Sequence, residues 1–358
     1  MYDSLSGKYV DGKTIEEMNL RVFPEGTVLC AVTGASIGTY AITKTRLITN
    51  QTFAGIVCGP NLYNEYLYYY LKLYTRNLIN ASVGCAQEYI TRETLENIEI
   101  DLPSIGDQKK TVSLLTSIDA KIIINNKIST ELELIARKLY EFWFIQFEFP
   151  NEEGNPYKSS GGKMVWNEEV KRDIPDGWVV KKLSKILKKV NRLFDHSVES
   201  RTYDLSVIPS NSIVLNDTSS SKKFETNLFS VKKGDLLFGS IRPYLRKAGI
   251  AAYDGAVAGT IHCYEVRNEI DYNLALLTLS SESLFKYAIN NSKGTKMPVV
   301  SSDDLLEFLI PYNEELAKKF NGLSIKNKII ANVHQTNELS SLRDFLLPLL
   351  MNGQVTFK

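Results

Sequence analysis

Cysteine and histidine are scarce in this chain. Of 358 residues, four are Cys and three are His. Cys30, Cys58, Cys85 and Cys263 are scattered, form no CxxC pair and show no metal-ligand spacing with a histidine, which excludes a disulfide scaffold or zinc ribbon and points to a reduced, cytoplasmic protein without a metal site. His196, His262 and His334 fall in no triad or metal pattern, so each reads as structural or solvated. Long apolar runs are missing, and MYDSLSGKYVDGKTIEEMNL lacks a basic-then-apolar signal, so neither secretion nor a membrane partner is expected. Charge of one sign is missing too. With a formal net charge of +1 no global field advertises a nucleic-acid partner, and affinity for one must come from local patches. The chain holds no Asn- or Asp-Pro-Pro-aromatic run, and Gly162-Lys163 lacks the earlier glycine and following Ser/Thr of a phosphate loop. Methyl transfer and ATP hydrolysis therefore have no home here, no cofactor is expected, and the chain reads as non-catalytic. A nuclease with carboxylates dispersed in sequence remains the enzymatic alternative.

What the chain does have is an imperfect repeat of itself. FPEGTVLCAVTGASIGTYAI lines up with VKKGDLLFGSIRPYLRKAGI, placing Gly26 opposite Gly234. Each copy reads as a turn glycine, a buried strand, a loop and a second strand. GCAQEYITRETL matches GTKMPVVSSDDL, each with a glycine-led loop, a β-branched pair and a residue, Thr91 or Ser301, placed to cap a short acidic turn. A strand ending at Pro103 or Pro311 is expected after each. Between these blocks NEYLYYYLKLYTRNLI carries Leu67, Leu71 and Leu78 at helical spacing and reads as a core helix with amphipathic tyrosines.

The third repeated block pairs IDAKIIINNKISTELELIARKL with IKNKIIANVHQTNELSSLRDFL. In the first copy Leu115, Ile118, Ile122, Asn125, Ser129, Leu132, Ala136, Leu139 and Trp143 alternate at three and four residues, a heptad seam. The second keeps it as Ile325, Ile329, Asn332, Thr336, Leu339, Arg343 and Leu346. From Asp107 to Gln146 the first helix would be about 60 Å long at the usual helical rise, longer than a compact domain needs. A polar residue stands at the same seam position in both copies, Asn125 and Asn332, and a buried seam asparagine fixes register and orientation. The alternative is that each helix packs on its own domain with its asparagine in water.

Residues 149–175 are polar and rich in Gly, Pro and Ser, and read as a linker. The expected order is a first recognition domain over 1–103, a long helix over 104–148, the linker, a second domain over 176–311 and a second long helix over 312–358. The fold class is α+β: two globular domains, each a twisted sheet with helices, separated by two long antiparallel coiled-coil helices in a pseudo-two-fold repeat. Such a rod with a reader at each end would act as a ruler. Residues 176–208 have no counterpart before Met1, so the first domain is expected to be shortened at its start, without an opening strand and part of its binding surface.

Base reading needs Arg, Lys, Asn or Gln presented from loops or helix starts, with other basic and hydroxyl groups on phosphates. GSIRPYLRKAG offers Arg242, Tyr244, Arg246 and Lys247 between two strands. NNSKGTKMP adds Lys293 and Lys296, and KKLSKILKKVNR adds Lys188, Lys189 and Arg192. The corresponding loop of the first half, Thr33 to Tyr40, has no basic residue, while Lys44, Arg46, Gln87 and Arg92 lie nearby in sequence.

LPSIGDQKKTVSLLTSIDAKIIINNKISTELELIARKLYEFWFIQFEFP resembles the central region of type I restriction-modification specificity subunits. VWNEEVKRDIPDGWVVKKLSKI resembles the start of their second target-recognition domain, and LLPLLMNGQV their C-terminal end. The resemblance implies a subunit that reads a bipartite double-stranded DNA target, one half per domain. It further implies docking of two methyltransferase subunits that methylate adenine, and assembly with motor-nuclease subunits. The exposed helix faces and the aromatic run Tyr140 to Phe147 are candidate docking surfaces. The competing reading is a coiled-coil adaptor, or an inactive shortened subunit, that joins partners without reading a full site.

Overall fold

The computed structural model describes residues 9–83, 88–225 and 227–355. The chain is α+β and divides into two units, Met1–Ile122 with Leu339–Lys358, and Ile123–Glu338. The division falls inside both long helices, Ile105–Tyr140 and Ile325–Met351. Among the described residues no helix is long and apolar enough to cross a membrane.

In the first unit a three-stranded antiparallel sheet places Val28–Ala31 between Tyr40–Ile42 and Phe53–Ile56. Its central strand is buried throughout, as a strand covered on both faces must be. Helix Asn64–Asn80 buries Tyr66, Leu67, Tyr68, Tyr69, Leu71 and Leu78, so the tyrosine-rich run is core. Leu115 and Val112 of the first long helix join this core with Leu347, Leu350 and Met351 of the second. Asp119 ties the two helices: its carboxylate accepts from the Arg343 guanidinium at 2.9 Å and from the Tyr69 hydroxyl at 2.7 Å.

The second unit holds a four-stranded sheet, ordered Ala248–Ile250, Leu236–Gly239, Ile261–Val266, Leu187–Lys189. A five-stranded sheet runs Ser219–Ser220, Arg201–Tyr203, Gly255–Ala258, Leu228–Val231, Arg192–Leu193. In the first unit one bridge, Phe23 with Leu47, stands for this second sheet among the described residues.

The seam asparagines meet. Asn332 Nδ2 donates to Ser129 Oγ at 2.6 Å and to the Asn125 carbonyl, and Asn125 Nδ2 donates to Gln335 Oε1 at 3.1 Å. These partners fall in antiparallel order. Beyond Ser129 the buried stripe departs from the heptad. Seam residue Ala136 stays buried, but Glu133, Tyr140 and Phe144 are buried with it, while Leu132 and Leu139 are only half-buried. There the helix packs on the sheets and helices of the second unit, and a straight helix of 3.6 residues per turn drifts off a seven-residue repeat. Glu133 accepts from the Ser212 hydroxyl, the Ile213 N–H and Arg137 Nε, so this buried carboxylate is fully partnered.

Three expected boundaries shift. The second long helix begins at Ile325, not 312, because Asn313 caps a separate helix, Glu314–Asn321, and the chain breaks at Ser324 with φ 55°. The stretch read as linker contains a hairpin, Met164–Asn167 with Arg172–Pro175, whose Ile174 enters the core. Pro311 sits inside strand Leu309–Tyr312, paired with Val179–Lys182, whereas residues 98–103 form no strand. Of the aromatic run, Tyr140, Phe144 and Phe147 are buried, Phe144 meeting Tyr140, Trp178 and Phe320 and Phe147 meeting Trp178, which leaves Phe142 as its exposed member.

Candidate nucleic-acid interface

Strand Leu236–Gly239 delivers the chain to Ser240, whose carbonyl accepts the Val300 N–H at 3.0 Å. Arg242 N–H donates to the Pro298 carbonyl at 2.7 Å, and Lys293 and Val299 exchange two bonds of 2.9 Å. Two loops far apart in sequence are thereby laid side by side. They bring together Arg242, Tyr244, Lys293 and Lys296, all exposed. Arg242 has no side-chain hydrogen-bond or ion-pair partner among the described residues.

The first unit repeats this frame bond for bond. Gly34 N–H donates to the Glu88 carbonyl at 2.7 Å, Val83 and Tyr89 exchange two bonds, and Ile90 N–H donates to the Val32 carbonyl at 2.8 Å. Thr91 and Ser301 each cap the helix that follows, accepting from Thr94 N–H and Asp304 N–H. The backbone dihedrals match as well. Gly34 and Gly38 have φ of 55° and 93°, and their counterparts Arg242 and Arg246 have 51° and 54°. The loop geometry demands left-handed backbone at both places, which glycine adopts freely and arginine adopts under strain. The second unit keeps arginine there regardless.

Other expected contacts are engaged elsewhere. Lys247 Nζ donates to the carbonyls of Leu205 and Ile208, so it holds a loop and is withdrawn as a DNA contact. Arg192 pairs with the buried Asp235 and reaches Glu265; a guanidinium committed to a buried carboxylate is a structural tie, and it too is withdrawn. Arg246 is paired with Glu282 at 2.8 Å, leaving Arg242 as the freer arginine of the loop. Lys188 and Lys189 are exposed on the edge strand Leu187–Lys189, paired with Glu265 and Tyr264.

His262, on strand Ile261–Val266, ties that strand to the loops. Its Nε2 lies 3.0 Å from the Val300 carbonyl. Burial, opposed by that hydrogen bond and reinforced by the Lys189 charge, holds its pKa below 6.5. The ring is therefore neutral and donates to the carbonyl.

In the first unit Lys44 and Arg46 follow strand Tyr40–Ile42 at the end beside Gly26, whose N–H bonds the Thr43 carbonyl, away from the Thr33 to Tyr40 loop. Arg92 is exposed and paired with Glu96 at 2.6 Å. Gln87 lies outside the described residues. No group of three or more His, Cys, Asp or Glu side chains among the described residues is placed to hold a metal ion.

A family model described as the type I restriction modification DNA specificity domain matches residues 2–134. The chain is 30% identical over 377 residues to the specificity subunit of the type I restriction enzyme MjaIX of Methanocaldococcus jannaschii, covering 99% of this chain and 83% of that one. To the specificity subunit of EcoDI from Escherichia coli it is 23% identical over 323 residues, 84% and 69% of the two chains. The crystal structure of a type I S subunit from M. genitalium shares the fold, with a TM-score of 0.53 at 17% identity over 93% of this chain and 84% of that one. The chain belongs to the family of type I restriction enzyme specificity subunits.

Proposed function

We propose that this chain is the non-catalytic, cytoplasmic subunit that reads a bipartite double-stranded DNA target and directs adenine methylation and restriction by partner subunits. The observation that carries the reading of DNA is the left-handed Arg242, whose side chain has no hydrogen-bond or ion-pair partner among the described residues. Backbone strain at a non-glycine residue persists where the side chain has a use, and here the repeat supplies glycine as the unstrained solution. Arg242, with Lys293 and Lys296 beside it, is assigned to base edges and neighbouring phosphates, and Tyr244 to packing or stacking on them. Lys188 and Lys189 are assigned to phosphates, which fix register without reading sequence. Lys44, Arg46 and Arg92 would serve backbone contacts in the first unit.

Partner docking is supported by an apolar stripe. Ile124, Ile128 and Ile135 of the first long helix are 56%, 44% and 53% exposed on the described chain, and apolar faces of this kind mark protein contacts. We assign this face to a methyltransferase subunit, two such subunits and the motor-nuclease subunits making the full enzyme.

The test is a genome-wide map of methylated adenines in cells expressing this chain with a matching methyltransferase subunit. A new bipartite motif supports the reading. A half motif, or a palindrome of it, means that one unit alone reads. No new methylation with partners still bound favours the adaptor. Metal-dependent cleavage by the purified chain would favour the stand-alone nuclease.

A further inference from the structure

The loop that presents Arg242 ends at a second left-handed residue, Arg246, whose guanidinium is already engaged. One of its nitrogens lies 2.8 Å from both carboxylate oxygens of Glu282. Glu282 opens helix Glu282–Asn290, which Ser281 caps by accepting the Leu284 N–H, and a carboxylate in the first turn suits the positive end of a helix. Leu284, Phe285 and Ala288 anchor that helix by burial. Phe285 stacks on Phe238, with 5.4 Å between ring centroids, and Phe238 belongs to the strand that delivers the chain to the loop. Glu282 is therefore fixed with respect to the base of the loop.

Between the two arginines runs a single tight turn, Pro243–Leu245. Leu245 N–H donates to the Arg242 carbonyl at 2.8 Å, Arg246 N–H to the Pro243 carbonyl at 3.0 Å, and the Arg246 carbonyl accepts the Asn211 N–H at 2.9 Å. Arg242 is thus one end of an arc whose other end is Arg246. Left-handed backbone at Arg246 is disfavoured for an L-residue, so the arc needs something to hold it. The side chains of the ion pair are 39% and 48% exposed, and pairs so exposed add little to global stability. The weight of this one falls on whether Arg246 stays left-handed.

The first unit solves the same place without an ion pair. Gly38 stands for Arg246, adopts φ 93° freely, and lies so close to helix Asn64–Asn80 that a Cβ would come within 2.7 Å of Thr75 Cγ2. When the bridges Val83–Tyr89 and Lys293–Val299 are aligned, Lys72 stands where the second unit has Glu282, and its ammonium lies over the Tyr68 ring at 4.7 Å. The carboxylate goes with the arginine, and the unit with glycine has none at that place.

We propose that Glu282 is a positioning residue for base reading: by clipping Arg246 it holds the arc in the shape that presents Arg242. That role rests on the assignment of Arg242 to base edges. Glu282→Ala, Arg246→Gly and the double variant of the full chain are compared by hydrogen exchange, by thermal unfolding, and by titration with a duplex carrying the methylated motif and a scrambled duplex. In Glu282→Ala the Leu245 and Arg246 amides should exchange roughly tenfold faster, with the thermal midpoint unchanged. The ratio of affinities for the two duplexes should fall by a similar factor, while the scrambled duplex binds equally or more tightly, a negative charge having been removed from beside the loop. In the Arg246→Gly background Glu282→Ala should alter neither readout, because glycine needs no clip. An equal effect of Glu282→Ala in both backgrounds overturns the proposal, as does unchanged exchange, a lowered thermal midpoint, or faster exchange with the ratio retained while Arg242→Gly lowers it. Faster exchange with a ratio that neither Glu282→Ala nor Arg242→Gly alters leaves the clip standing and overturns instead the assignment of Arg242 to base edges.

Discussion

Left-handed backbone imposes roughly 1–2 kcal/mol on an L-residue with a Cβ, and almost nothing on glycine. Arg242 therefore separates stability from function in one substitution. Arg242→Gly should leave the unfolding free energy unchanged or raise it by up to about 1 kcal/mol, the relief of strain being partly offset by the greater chain entropy of glycine. The same change should weaken specific DNA binding by about 1–3 kcal/mol if the side chain reads a base. Denaturant unfolding and a binding titration on one preparation check both halves, and a clear loss of stability would mean that the guanidinium props the loop. His262 gives a pH prediction. Its folded pKa lies below 6.5 because burial disfavours the charged ring, so the unfolded chain binds the extra proton first. The stability gained from the neutral ring is complete above pH 6.5 and declines as pH falls below it toward the folded value. Stability measured across that window should fall less steeply in His262→Asn, whose amide can still donate to Val300.

Among elements, the paired helices carry the most information per residue. The asparagines at matching seam positions were legible because periodicity places them without reference to the rest of the fold. Asn332→Ala would strip the donor from Ser129 Oγ and from the Asn125 carbonyl and should lower stability by about 1–2 kcal/mol, as followed by thermal unfolding monitored by circular dichroism. The sequence was silent where the packing partner is not a helix. Glu133 and Tyr140 replace Leu132 and Leu139 at the buried positions because the second unit's sheets and helices, not a heptad, set the contact. Long-range partners were equally hidden. Arg192 and Lys247 look like surface cations until Asp235 and two carbonyls on distant segments arrive beside them. The loop frame was half legible. Aligning the repeat puts Gly34 against Arg242, but only the dihedrals show that both places are left-handed and the arginine strained. The hairpin inside the glycine-rich stretch escaped because its alternation is too short to stand out from its flanks.

For the molecule as a whole, a formal net charge of +1 sets the terms on which DNA can be bound. With no long-range field to attract the duplex, the salt dependence of binding must come from the few cations that release counterions at the contact itself. Lys188 and Lys296 are exposed and lie on different segments, so each should act as a separate phosphate contact. Lys188→Ala should weaken binding to matched and unmatched sequences alike and reduce the slope of log K against log salt by about one, so that the loss of affinity is greatest at low salt. Lys296 lies in the loop laid beside Arg242, so Lys296→Ala distinguishes two arrangements. A uniform loss with the same slope change makes it a phosphate contact that positions the loop. A loss confined to the matched sequence, with the slope retained, makes it part of the base-reading set. Unchanged affinity in Lys188→Ala, Lys296→Ala and Arg242→Gly together would remove this face of the second unit from the DNA interface and return the reading to the adaptor, whose partner binding such substitutions leave untouched.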